Sequence, residues 1–394
     1  MVAMTTSALA VDVSRPDWTV TYGQKDITHD ITPYVLSVSY TDKLSGESDE
    51  IQIELEDTEL LWQDDWYPGK GDMITVSLGY AGQKLLAAGT FSIDEIELSG
   101  PPDTVSIRGL AASVTAAMRT KSNRGFENTT LGAIAQRIAK KHGLQLVGQI
   151  ESLQVDRITQ YAETDLAFLK RLATEYGYMV KITHTQIIFS HLVSLVDAPS
   201  VKTLSRADIS RFSFRDTINR IYKQARLKHQ HSQSKKMVTY GVQDDGEVGT
   251  VKTETVTTRS SRGKTTSGDT LNIHGRAANS DVAGVKTRAA MNLKNQYQKV
   301  ASLTLAGNTA LRAGNSIDLT GFGQLSGKWL TGSATHHLDR SGGYVTDAEL
   351  VRGHIARPDK KKTGKATQMV TYGVQPGGAV GVVKTETVTT KGKK

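Results

Sequence analysis

The 394-residue chain contains no cysteine. That excludes disulfide staples, thiolate metal sites and a cysteine nucleophile, and it fits synthesis in a reducing compartment. Apolar runs are short: none approaches the roughly 18 residues of a membrane span, so no membrane insertion is expected. The opening MVAMTTSALAVDVSRP has no basic stretch ahead of an apolar block and does not read as a signal peptide. Absent too are an H-E-x-x-H metal motif, a G-x-S-x-G nucleophile elbow, a G-x-x-x-x-G-K-S/T phosphate loop and a dinucleotide fingerprint. No catalytic, cofactor-binding or metal residue is assigned, no cofactor is expected, and the chain does not read as an enzyme.

Charge is plentiful and unevenly placed. The net charge is +8, but residues 1–110 hold 19 acids and 6 bases, so the remainder carries the opposite sign in excess. One explanation is an acidic module beside a nucleic-acid-binding one. The other is that surfaces of opposite sign meet within an assembly and fix its register. The basic part has no recognisable DNA-binding motif, which favours the second and argues against a specific nucleic-acid partner.

Hydrophobic periodicity divides the chain. Across residues 1–110, Ile51, Ile53 and Leu55 alternate with polar residues, as a half-buried strand requires. Further strands are expected at Trp18–Val20, Val35–Tyr40, Met73–Leu78, Phe91–Leu98 and Thr104–Ile107, with turn residues between them. Apolar parity changes between Phe91/Ile93 and Ile96/Leu98, the mark of a bulge where a sheet curls. Residues 111–200 switch to the helical period at Leu131, Ile134, Ala135, Ile138 and Ala139, with Gly143 as the stop. A hairpin over Tyr178–Lys181 and Gln186–Phe189 follows. Residues 201–355 return to strands, with a helix over Asp281–Tyr297. They read as a second barrel-like domain interrupted by a polar insertion, 231–280, too rich in Ser, Thr, Lys and Gly to build a core. The expected class is α+β, mainly β: two barrel-like domains flanking a small α+β domain, then a basic extension, 356–394.

An internal repeat crosses these divisions. Met237–Thr258 recurs 132 residues later at Met369–Thr390, identical at 18 of 22 positions. Asp244-Asp245 becomes Pro376-Gly377, so turn chemistry is kept while the letters change. Val, Thr and Tyr on either side suit a pair of hairpin arms that add strands to a neighbour or to each other. The alternative is a recent duplication that left solvated segments.

Candidate sites are weak. His229 and His231 straddle Gln230, and His336 adjoins His337, but neither pair has a third ligand in sequence. His336 or His337 is expected to make a structural hydrogen bond at a strand end. Glu54, Glu56, Asp57, Glu59, Asp64 and Asp65 could be cast as glycosidase carboxylates, yet their place at a strand end points to a solvated face. Trp62 and Trp66 among them read as a packing anchor or an interface hot spot. Lys360, Lys361, Lys362, Lys365, Lys391, Lys393 and Lys394 read as a solvated linker and tail.

The most informative stretch runs from Arg157 to Tyr178. Thr164 can cap a short helix, Asp165 sits at its positive end, and Leu166, Leu169, Leu172, Ala173 and Tyr176 form one buried face before Gly177. The wording R-x-x-Q-x-x-E-T-D-L-A-F-L-x-R-L-A-x-E-Y-G-Y resembles the central signature of the phage tail protein D (late control gene D) family. Ser48–Asp57, Trp66–Asp72, Phe91–Ile96 with Gly100–Val105, and Gly327–Leu330 with His336–Asp339 and Gly342–Tyr344 are similar to other blocks of it. The resemblance implies a baseplate hub of a contractile phage tail, in the virion after assembly in the host cytoplasm. It implies a homotrimer with two tube-type β-barrels per chain, meeting the hexameric tail tube, the trimeric central spike and other baseplate proteins. A tail-associated cell-wall hydrolase, a tailocin hub and a type VI-like hub are the alternatives. Acidic edges of the first barrel would meet basic ones on the next chain, and reversing Glu59, Asp64 and Asp65 would then weaken the trimer.

Overall fold

The computed structural model describes residues 15–111, 120–219, 221–230, 237–244, 251–256, 270–275, 277, 280–353, 355–357, 367–374 and 380–388. The first barrel comprises β1 (Pro16–Tyr22), β2 (Lys25–Asp26), α1 (Thr28–Ile31), β3 (Val35–Lys43), β4 (Glu50–Glu56), β5 (Met73–Tyr80), β6 (Leu86–Ser99) and β7 (Thr104–Leu110). Alternation builds it: Ile51, Ile53 and Leu55 turn inward onto Val38, Val76 and Phe91, each burial contributing about 1.5–3 kcal/mol. The expected bulge is a register shift between Ile93 and Glu95, where β6 runs on past β5.

The middle region has β8 (Lys121–Thr130), α2 (Leu131–Lys141), β9 (Gln145–Glu151), β10 (Gln154–Thr164), α3 (Asp165–Tyr176), β11 (Tyr178–Ile182), β12 (Gln186–His191) and α4 (Leu192–Asp197). The Thr164 side chain accepts from the Ala167 amide at 3.2 Å, and Gly177 ends α3 at φ 81°. Beyond the expected face, Phe168 is fully buried, stacked on Phe126. Arg157–Glu163, ahead of the helix, is strand paired with β8.

After β13 (Lys202–Ser205) and β14 (Arg211–Asp216) come β15 (Gln224–Gln230), β16 (Met237–Asp244), β17 (Val251–Val256), β18 (Thr270–His274) and α5 (Ser280–Asn295). These form a separate sheet, β17-β16-β15-β18. Here the expectation for 231–280 fails. Tyr240 and Val242 are buried, and Leu271 and Ile273 pack into the cluster that holds α2 and α3. The central strand β15 supplies fully buried Ala225 and Leu227, so its polar neighbours need offer only one apolar face each.

β19 (Lys299–Ala306), β20 (Ser316–Thr320), β21 (Gly327–Asp339) and β22 (Gly343–Arg352) complete the second barrel around Trp329, and β23 (Thr367–Val374) with β24 (Val380–Val388) close the described chain. Strand neighbours in the first barrel run β3-β4-β7-β6-β5-β1, and in the second β14-β19-β22-β21-β20-β13. Members of the two series correspond one to one and follow in the same chain order, so one topology is used twice. A single pairing changes sense: β1 is antiparallel to β5, whereas β13 is parallel to β20.

Both repeated segments are hairpins, β16–β17 and β23–β24; their turns lie outside the described residues. They join different sheets by one device. Tyr240 packs its hydroxyl on Gly284 of α5, and Tyr372, its repeat counterpart, packs on Gly132 of α2. A Cβ at either glycine would lie 2.6 Å from that oxygen.

Candidate functional site

The signature residues converge on one buried carboxylate. The Asp165 side chain, 1 % exposed, takes Lys141 Nζ and His142 Nε2 at 2.8 Å each, Gln160 Nε2 at 2.9 Å, and the Arg124 guanidinium. Arg124 and Gln160 come from the β8–β10 ribbon, Lys141 and His142 from the end of α2, and Asp165 opens α3. Burial, then Lys141 and Arg124, hold His142 below its ordinary value, so its neutral ring donates from Nε2. Every oxygen of Asp165 is engaged, which makes this a lock between elements rather than a reactive centre. Beside it, Arg171 bridges Glu163 at 3.0 Å and Glu175 at 3.1 Å.

A second constellation lies where the barrels meet. β3 pairs antiparallel with β21 from Ser37↔Asp339 to Lys43↔Ser333, fusing both barrels into one sheet. Behind the seam, fully buried His336 donates from Nε2 to the Leu311 carbonyl at 2.9 Å and accepts at Nδ1 from the Tyr344 hydroxyl at 2.8 Å. Burial lowers its imidazole to about 4. Tyr40 stacks on this ring, with centroids 6.0 Å apart. At the end of β3, Asp42 and Asp49 are both buried and share the Lys181 ammonium of β11, at 2.8 Å from Asp49. Burial opposes the charge on Lys181, but the two carboxylates hold its pKa above the ordinary value. Asp42 also accepts from the Ala313 amide at 3.1 Å, so the first barrel, the α+β domain and the second barrel meet at this one residue. Arg340 closes the other end, donating to the Val35 and Pro33 carbonyls and, at 3.2 Å, to Glu56.

The sequence candidates disperse. Glu56 pairs with Arg340, Glu54 accepts from Ser37 at 3.0 Å, and Tyr34 donates to Glu59 at 3.3 Å. Asp64 and Asp65 are exposed as expected. Asp57 departs from the expected solvated face: it is buried, accepting from the Trp62 amide at 3.1 Å to hold the turn after β4. Trp62 is the buried anchor, and the half-exposed Trp66 meets it edge-on at 5.5 Å. His336 makes the structural hydrogen bonds expected of that pair; His337 stands 4.0 Å from Asp339. His229 lies in register with Val238, while His231 and the candidate lysines, Lys360, Lys361, Lys362, Lys365, Lys391, Lys393 and Lys394, fall outside the described residues. Among the described residues no three His, Asp or Glu side chains group as a metal site. A groove over the seam is lined by Lys43, Ser302, Thr304, Thr335, Asp347 and Glu349, and its hydroxyls are tied to its carboxylates, Thr304 donating to Asp347 and Ser333 to Glu349 at 3.1 Å. Asp42, Asp49, Lys181 and Arg340 were missed by sequence reasoning. One signal existed: Asp42 shares the inward parity of Val38 and Tyr40.

The family model for the phage tail baseplate hub (GPD) matches residues 99–342, more than half of the chain. The probable baseplate hub proteins of Escherichia phages P2 and 186 are each 31 % identical over 205 residues, 50 % of this chain and 52 % of theirs. The match thus spans about half the length of these relatives. Among solved structures, the tail protein from Neisseria meningitidis MC58 superposes with a TM-score of 0.63 at 11 % identity, covering 88 % of this chain and 99 % of that one. The 43 kDa tail protein of prophage MuSo2 from Shewanella oneidensis gives 0.58 at 15 % identity, covering 86 % and 98 %. At such identities the likeness concerns the fold.

Proposed function

Because the chain belongs to the phage tail baseplate hub family, we propose that it is a structural, non-enzymatic hub: a homotrimer joining a hexameric tail tube to a trimeric central spike. The observation that carries this reading is the doubled barrel, six strands in the same order and chain sequence. Three such chains repeat one topology six times while keeping a threefold count of chains, as a junction between sixfold and threefold neighbours requires. The buried charges support it, since Asp42, Asp49 and Lys181 are spent on joining domains, and Asp165 on locking elements within one. The protein would then sit in the tail baseplate of the virion, or of a tailocin, after assembly in the host cytoplasm.

Mass measurement in solution, with and without the spike protein, tests this. A trimer is expected, and a chain that stays monomeric beside its spike and tube neighbours would refute it. Clearing of peptidoglycan by the purified protein would favour the hydrolase instead.

A further inference from the structure

The doubled topology specifies more than a count. The seam inside the chain is β3 against the outer half of β21, Ser333–Asp339. Correspondence of the barrels assigns each side a counterpart: β14 stands for β3, and the outer half of β6 for the outer half of β21. Among the described residues both counterparts are bare. β14 pairs with β19 alone, and β6 beyond Ile93 pairs only with β7, because β5 begins at Met73, opposite Ser92, and the residues just before it reach no further than Ile93.

The bare edges match chemically. β14 carries Arg211 and Arg215, and the outer half of β6 carries Asp94, Glu95 and Glu97. Each also leaves a large apolar side chain in water: Phe212 is 37 % exposed and Leu98 44 %. Tyr40, the counterpart of Phe212, is 4 % exposed because β21 covers it.

We propose that β14 of one chain pairs antiparallel with the outer half of β6 of the next, closing the hub head to tail. This rests on the trimeric reading above. The register follows by tracing both barrels through their ladders. Tyr40, Ile51 and Gly109 correspond to Phe212, Leu303 and Ala348, and the hairpin ends Ser99/Thr104 correspond to Asp339/Gly343. His336 therefore corresponds to Ile96 and His337 to Glu97. Tyr40 faces His336 and Ser39 faces His337 within the chain; Phe212 accordingly faces Ile96, and Arg211 faces Glu97, across the subunit boundary. An unlike pair of edges joins each chain to the next, so the contact closes into a ring rather than a dimer. Six barrel-to-barrel seams result, three within chains and three between them.

The absence of native cysteine makes the test clean. Residues directly opposite in an antiparallel pair have Cβ atoms about 4.5–5.5 Å apart, near disulfide reach. A chain carrying Arg211→Cys with Glu97→Cys is expected to form covalent trimers under mild oxidation. Arg211→Cys with Glu95→Cys, two residues out of register, is expected to cross-link far less. Both sites are exposed in the single chain, and folding is checked by circular dichroism. As a second arm, Arg211→Glu should weaken each contact about tenfold at low salt, and adding Glu97→Arg should restore it. A trimer by mass with no 211–97 cross-link and no charge-swap rescue overturns this pairing and leaves the trimer standing. No trimer in the unmodified protein overturns both.

Discussion

Tyr40 and Phe212 hold the same place in two copies of one topology, yet one is buried and the other stands in water. The difference lies outside either barrel: β21 covers β3, and no described strand covers β14. Around the covered edge the chain gathers buried ionic groups, Asp42, Asp49 and Lys181, and a buried histidine. At the corresponding place beside the bare edge, Asp42 is replaced by Phe214, which packs with Phe212, Phe322 and Trp329. A permanent seam can hold buried charge because its partners are always present. An edge that waits for a partner is better served by aromatics and solvated arginines, which remain tolerable while exposed.

The harshest way to break this contrast is Lys181→Met, which leaves two carboxylates buried together without their cation. A loss of about 3–5 kcal/mol is expected in denaturant unfolding. A loss below about 1 kcal/mol would mean that water or a shared proton already does the work of Lys181.

Acid probes the same seam without a mutation. The folded pKa of His336 lies at about 4 against an ordinary 6.5, so the unfolded chain binds the extra proton between those values. Stability from this residue is therefore complete above pH 6.5 and lost as pH falls towards 4, by roughly 3 kcal/mol at most. Unfolding followed across that window should show the slope, and His336→Gln should flatten it. An unchanged slope in the variant would assign the acid sensitivity to other groups.

Much of this was legible in the sequence, and what was hidden had physical reasons. Single-element signals worked: Thr164 and Gly177 bound α3, the parity change in β6 is a bulge, and the repeat is a pair of hairpins. β10 escaped because its inward positions include Gln160, which disguises the alternation. The role of Asp165 escaped because the residues that bind it come from three separate elements. Nothing local sets β3 against β21, nearly three hundred residues away, so the seam could not be read. The docking glycines were equally silent, since Gly132 and Gly284 look like ordinary weak points in helices until the tyrosine hydroxyl is seen above each.

Those glycines give a milder break, and they compare the other duplication. Gly132→Ala sets a Cβ against the Tyr372 hydroxyl, and Gly284→Ala does the same to Tyr240. Each should cost about 1–3 kcal/mol through displacement of its own hairpin, offset in part by better helix propensity. Hydrogen exchange would reveal which hairpin loosens. If Gly132→Ala loosened β16–β17 as much as β23–β24, the hairpins would be coupled through the common core rather than docked independently.

The smallest expected effect is the most discriminating. Phe212→Ser removes an aromatic that is already partly in water and shares its contacts with Phe214 and Phe322, so the isolated chain should lose no more than about 1 kcal/mol. Tyr40→Ser, at the corresponding place, removes a buried ring stacked on His336 and should cost several times as much. In the assembled hub the order should reverse: Phe212→Ser strips the centre of a contact between chains, while Tyr40→Ser damages a seam that the chain itself still holds closed. Measuring both variants by unfolding and by trimer dissociation separates folding from assembly. Equal losses in both assays would mean that β14 is an ordinary surface strand and that the chains join elsewhere.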